Sequence, residues 1–171
     1  MTQKSGSYVR AIDRLSEYAD LEVRHRSVPS GPMYFLLLVS VLWMTPIAKR
    51  FPVQTTFFEG AATVISLGIL AMCLSWKKFF PAKGTYWRAI FVTFLLMAAA
   101  NLGALAGFTV TAFELGWTSF FVVLITCGIC SGMVSTLAPN LKLFRGALAL
   151  ALLPPLAANV VLVGGLRGHA L

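Results

Sequence analysis

Cys127 and Cys130 stand three residues apart in "TCGICSGMVSTLAP", Thr126 to Pro139, a spacing that elsewhere binds metal or cycles between dithiol and disulfide. Either chemistry works through the thiolate, which apolar surroundings disfavour. A closed zinc site takes four Cys or His ligands, and the chain offers only Cys73, His25 and His169 besides this pair. The expectation is therefore that the cysteines are small polarizable packing residues and that the chain holds no metal and no cofactor. The other chemistry-bearing side chains within apolar sequence are Glu59, Asn101 and Asn159. Polar groups at membrane depth mark ligand sites or interhelical hydrogen bonds, and these three are the candidates for both. No HExxH, phosphate loop or Ser/His/Asp set occurs, and no apolar stretch contains histidine for haem or an interior lysine for a Schiff base. An enzyme is not expected, and no catalytic residue is named.

The elements that must carry these residues follow from composition. Of 171 residues, 58% are hydrophobic and 12% charged, with a mean hydropathy of +0.81, whereas a soluble domain carries about a quarter of charged residues. This is the composition of an integral membrane protein. About 20 apolar residues make one helical crossing of a hydrocarbon core, which predicts an all-α polytopic bundle with five spans at about 31–48, 57–76, 87–110, 117–138 and 144–166. Residues 1–30 form a segment apart from this membrane domain of 31–171.

Positive charge sorts the connections. With the N-terminus in the cytoplasm, the inner side holds Lys4, Arg10, Arg14, Arg24, Arg26, Lys77, Lys78, Lys83, Arg88, Lys142 and Arg145, and the outer side Lys49, Arg50 and Arg167. The expected topology is N-terminus inside and C-terminus outside, in a bacterial inner membrane. Trp43, Trp76, Trp87 and Trp117 fall towards span ends, as interfacial aromatics do.

Ahead of the first span, Tyr8, Ile12, Leu15 and Ala19 recur at helical spacing. Arg10/Asp13, Arg14/Glu17, Asp20/Arg24 and Glu22/Arg26 place opposite charges three or four residues apart, which stabilises a helix. An amphipathic cytoplasmic helix over Ser7 to Arg26 is expected, resting on the membrane face or on a partner. Its near balance of acids and bases disfavours nucleic acid as a partner, so the formal charge of +8 reflects topology.

Gly128 and Gly132 lie four apart, as do Ala99, Gly103 and Gly107; such small residues let helix backbones approach. The expectation is that spans three and four pack together through them. Pro154 and Pro155 remove two backbone donors in span five and predict a kink there.

The second half, "FFVVLITCGICSGMVSTLAPNLKLFRGALALALLPPLA" (Phe120 to Ala157), resembles a membrane region found at the N-terminus of bacterial diguanylate cyclases, phosphodiesterases and hybrid histidine kinases. The positions that carry the likeness are Gly128, Gly132, Leu137, Ala138, Pro139, Leu152, Leu153 and Pro154, and "SWKKFFPAKGTYWR" (Ser75 to Arg88) looks like the basic inner loop of those regions. "NLGALAG" around Asn101 departs from their tryptophan-glycine pairing. The resemblance implies a signal-sensing module, which in those proteins precedes a sixth span and a cytoplasmic output domain; this chain has neither, so it would be part of a longer sensor or work through a partner. The expected function is a non-catalytic sensor acting through helix packing, with the bilayer, a membrane protein or a second copy as partner and the small-molecule ligand unspecified. The alternative is a structural subunit or assembly factor of a larger membrane complex; a transporter is weaker, because paired broken helices and buried ion ligands are missing.

Overall fold

A computed structural model describes Tyr18 and residues 21–114, 116–138 and 140–168, the side chains of 76–84 and 163–168 apart. All of its regular structure is helical: α1 (Leu21–Ser27), α2 (Ser30–Met44), α3 (Ile47–Arg50), α4 (Pro52–Phe113), α5 (Trp117–Leu137) and α6 (Leu141–Gly168). The part of the expected amphipathic helix ahead of Leu21 lies outside the described residues, save for exposed Tyr18.

Four stretches are long and apolar enough to cross a membrane: Pro52–Ser75, Thr85–Phe113, Trp117–Leu137 and Leu141–Leu162. The first two belong to one helical run. A straight helix from Phe58 to Phe108 would be about 75 Å long, yet their ring centroids are 6.0 Å apart, so α4 doubles back into two antiparallel limbs. The expected gap between spans two and three is thus helical sequence, with the reversal between Ser75 and Thr85.

The first expected span is the one that changes most. α2 has 15 residues, about 22 Å of rise, and stops at Met44 rather than Ala48. The cause is Pro46, because a residue before proline is pushed out of the helical region and Thr45 is accordingly extended (φ −106°, ψ 163°). Only with α1, across a 40° bend, does α2 pass as a crossing, giving four to five candidate spans. At the next start, Pro52 sits at the head of α4, where its missing N–H is harmless.

α2 runs antiparallel to the first limb of α4. Ser66 Oγ donates to the Gly31 carbonyl (2.9 Å), and the Trp43 indole N–H donates to Glu59 Oε1. A Cβ on Gly31 would come within 3.2 Å of the Ser66 carbonyl oxygen, so the missing side chain sets this approach. α6 lies parallel to the second limb, with Gly103 against Leu150 and Ala151, and Gly107 against Pro154.

The glycine pairing expected between spans three and four is therefore corrected. Gly103 and Gly107 serve α6, and nothing lies within 4 Å of a Cβ built on Gly128 or Gly132. Ala99 is fully buried in the core between the helices. Pro154 and Pro155 lie inside an α6 whose helical run continues past them.

Candidate functional site

The absence of side chains at Gly128 and Gly132 leaves a large opening in the bundle. Between α2 and α5 lies a groove of about 670 Å³, walled by Met33, Tyr34 and Leu37 on one side, by Leu124, Gly128 and Gly132 on the other, and floored by Ile69, Leu95 and Ala98 of α4. That volume is in the range of small-molecule sites. Its lining is mostly apolar, with Arg26, Ser30, Ser135 and Thr136 at one end.

The groove has a closed end and an open end. Beyond Leu37 and Leu124, Leu38, Val41 and Val122 are buried, and with Leu102 and Leu105 of α4 they line a void of only about 10 Å³. At that level Ser119 Oγ donates to the Thr109 carbonyl (2.8 Å) and ties α5 to α4. From Leu124 to Leu137, where the groove opens, α5 rises about 20 Å. This is about half of a bilayer of roughly 40–45 Å counted with its headgroup regions.

α1 crosses the open end. Its Arg24 donates from Nε (3.1 Å) and Nη2 (2.9 Å) to the Cys73 carbonyl near the end of the first limb. Arg26 donates from Nη1 to the Ser135 carbonyl of α5 at 2.6 Å and pairs with Glu22 at 2.7 Å. The Ser135 carbonyl, in the last turn of α5, carries partial negative charge and lacks an intrahelical donor, so Arg26 finds an acceptor there. Val23 and Ser27, at 3% and 0% exposure, fasten the other face of α1 in the core. The Glu22/Arg26 pair is the one read from spacing; the contacts to Cys73 and Ser135 span 49 and 109 residues and carry no local signal beyond two arginines close to Pro29.

Of the candidate polar residues, Asn101 is buried in the second limb and donates from Nδ2 to the Tyr34 hydroxyl oxygen at 2.7 Å. It is an interhelical tie, and Tyr34 is itself part of the groove wall. Glu59 lies at the opposite end of α2, accepting from Trp43. Asn159 is half-buried in α6, remote in sequence from the lining residues. The structure does not bring these three together into one site. Cys127 is exposed and Cys130 buried, one helical turn apart, and among the described residues no three His, Cys, Asp or Glu side chains are grouped to hold a metal ion.

What the arrangement offers is a one-ended apolar groove, a cation at its mouth and a short helix latched across that mouth. No protein-family model, no characterised protein and no solved structure matches the chain. Four to five apolar helices are compatible with a membrane protein, and the chemistry of the groove is the guide to function.

Proposed function

We propose that the chain is a non-catalytic membrane sensing module: an apolar ligand enters the groove between α2 and α5, and the change in their spacing reaches a partner protein through α1. The observation that carries this reading is Arg26, which lines the groove and also bonds the Ser135 carbonyl of α5. Anything that displaces the inner half of α5 moves or breaks that latch. The outer half is held by Ser119 and by the packing around Val122 and Thr126, and the inner half, which keeps Cys130 and Leu137 in the core, is the half α1 touches. The resemblance of Phe120 to Ala157 to bacterial sensor regions points the same way. The arginines of α1, with Lys142 and Arg145 at the start of α6, belong on the cytoplasmic side by the positive-inside rule, which puts the latch where a cytoplasmic partner or output domain reads it.

The test fills the groove without a ligand. Gly132→Leu adds a side chain where a Cβ meets nothing within 4 Å. With the three native cysteines replaced, spin labels at exposed Leu21 and Ala138 report the distance between α1 and the end of α5. The expected result is a shifted distance distribution in Gly132→Leu, and an unchanged one overturns the coupling.

The second reading, a subunit or assembly factor, is supported by α5 and α6, in whose apolar stretches only 22% and 17% of residues are buried. Purification in mild detergent separates the two. A fixed stoichiometric complex favours the subunit; a free chain or dimer favours the sensor.

A further inference from the structure

We infer that the groove holds an acyl chain of a membrane phospholipid from the leaflet on the Arg26 side, with the lipid phosphate on Arg26. The inference rests on the groove reading above and names its ligand class.

Depth is the first argument. A partner's transmembrane helix would need a groove along the whole thickness of the bundle, and this one is lined no further than Leu37 and Leu124, beyond which Leu38, Val41, Val122 and α4 leave a void of only about 10 Å³. Its length along α5, about 20 Å, is about half of a bilayer of roughly 40–45 Å counted with its headgroups, so the occupant that matches is one lipid entering from one face, tail inward and headgroup at the mouth. The lining supplies the second. Met33, Leu37, Leu124, Ile125 and Ile129 are apolar, and the hydroxyls at the mouth are already committed: Ser30 Oγ donates to Ser27, and Ser135 and Thr136 donate to the Gly132 carbonyl. They offer no spare proton to a polar ligand inside.

Charge at the mouth is the third. The Arg26 guanidinium has five N–H donors, more than its contacts to Glu22 and Ser135 occupy, and its side chain is 44% exposed. Arginine matches the tetrahedral oxygens of a phosphate by paired hydrogen bonds. The occupant therefore carries a phosphate at the level where α1 crosses and hydrocarbon below it.

Delipidated full-length protein in detergent, incubated with palmitoyl-oleoyl phosphatidylglycerol or with the diacylglycerol of the same chains, is read by native mass spectrometry. The expected result is one phospholipid retained per chain, with diacylglycerol retained about tenfold less, the scale of a charge-assisted hydrogen bond. Arg26→Gln is expected to abolish that preference, and Gly132→Leu to abolish retention of both. Equal retention of the two lipids by the wild type overturns the assignment to Arg26. Undiminished retention by Gly132→Leu overturns the groove, and Gly128→Leu repeats that arm should Gly132→Leu fail to fold. The spin-label distance keeps the two proposals apart. Lipid retention without any distance change leaves the lipid as a filler and removes the sensor, whereas a distance change without retention keeps the sensor and removes the lipid.

Discussion

Gly103 of α4 lies against the carbonyl oxygen of Leu150 in α6, and a Cβ at Gly103 would overlap that oxygen and come within 3.0 Å of the carbonyl of Ala151. These are the two acceptors that Pro154 and Pro155, each four residues further on, leave without a helical donor. With no side chain at Gly103 the α4 backbone fits against both oxygens, in the manner of the Cα–H···O contacts common between close helices. Ala99, Ala147 and Ala151, all at 0% exposure, continue the narrow seam.

The seam makes Gly103 the least tolerant of the described glycines, since its nearest neighbours are backbone atoms. Gly103→Val forces a branched side chain into backbone oxygens that cannot turn aside, and overpacking of this kind costs about 1–3 kcal/mol or more. Gly128→Val, facing open space, is expected to cost little beyond helix propensity. Thermal unfolding of both variants in the same detergent checks the contrast; equal loss would mean that the seam is not set by the missing side chain.

Four of the five candidate spans were legible because hydropathy is local: each long apolar stretch announces itself within about 20 residues, and Trp117–Leu137 agrees with its expected bounds within a residue. What was not legible depends on what faces what. Small residues four apart read alike at Gly103 and Gly128, yet one meets a carbonyl and the other a void, because the difference lies in the helix opposite. The prolines of α6 read as a kink, while the glycine that fits beneath them is 47 residues or more away. Arg24 and Arg26 read as partners for acids within α1, and their contacts to distant helix ends needed the bundle to exist first. Pro46 did carry a readable stop for α2, since a residue before proline leaves the helix.

The Tyr34 and Asn101 pair offers a measure of polar ties in the bundle. Interhelical hydrogen bonds in membranes average about 0.6 kcal/mol, so Tyr34→Phe and Asn101→Leu should each destabilise modestly. The double variant should show a coupling energy of about 0.6–1.7 kcal/mol. Unfolding in a denaturing detergent titration across the four proteins gives the value, and strict additivity would remove the bond at 2.7 Å from the account of stability.

Glu114 is the only non-glycine residue with positive φ among those described, at φ 53° and ψ −139°, in the tight turn that returns the chain from α4 to α5. Glycine adopts this conformation without the clash that a Cβ brings. Glu114→Gly should therefore raise stability by about 1 kcal/mol, read as a higher unfolding midpoint, and a lower one would indicate that the carboxylate has a role the turn geometry does not reveal.

Arg24 is the anchor of α1 that leaves the groove untouched. Its two bonds to the Cys73 carbonyl hold α1 to the first limb of α4, while Arg26 reaches the Ser135 carbonyl of α5 and the groove lining. Arg24→Gln keeps a donor but loses the bidentate fork, so α1 should open more often. Hydrogen exchange at Val23 to Val28 should accelerate about tenfold, for roughly 1.4 kcal/mol of lost local stability. Exchange across Val122 to Thr126 should stay as it was, because that packing does not involve α1. If both regions accelerate together, α1 and α5 unfold as one unit, and the latch is then a part of the bundle's core rather than a separable contact across the mouth of the groove.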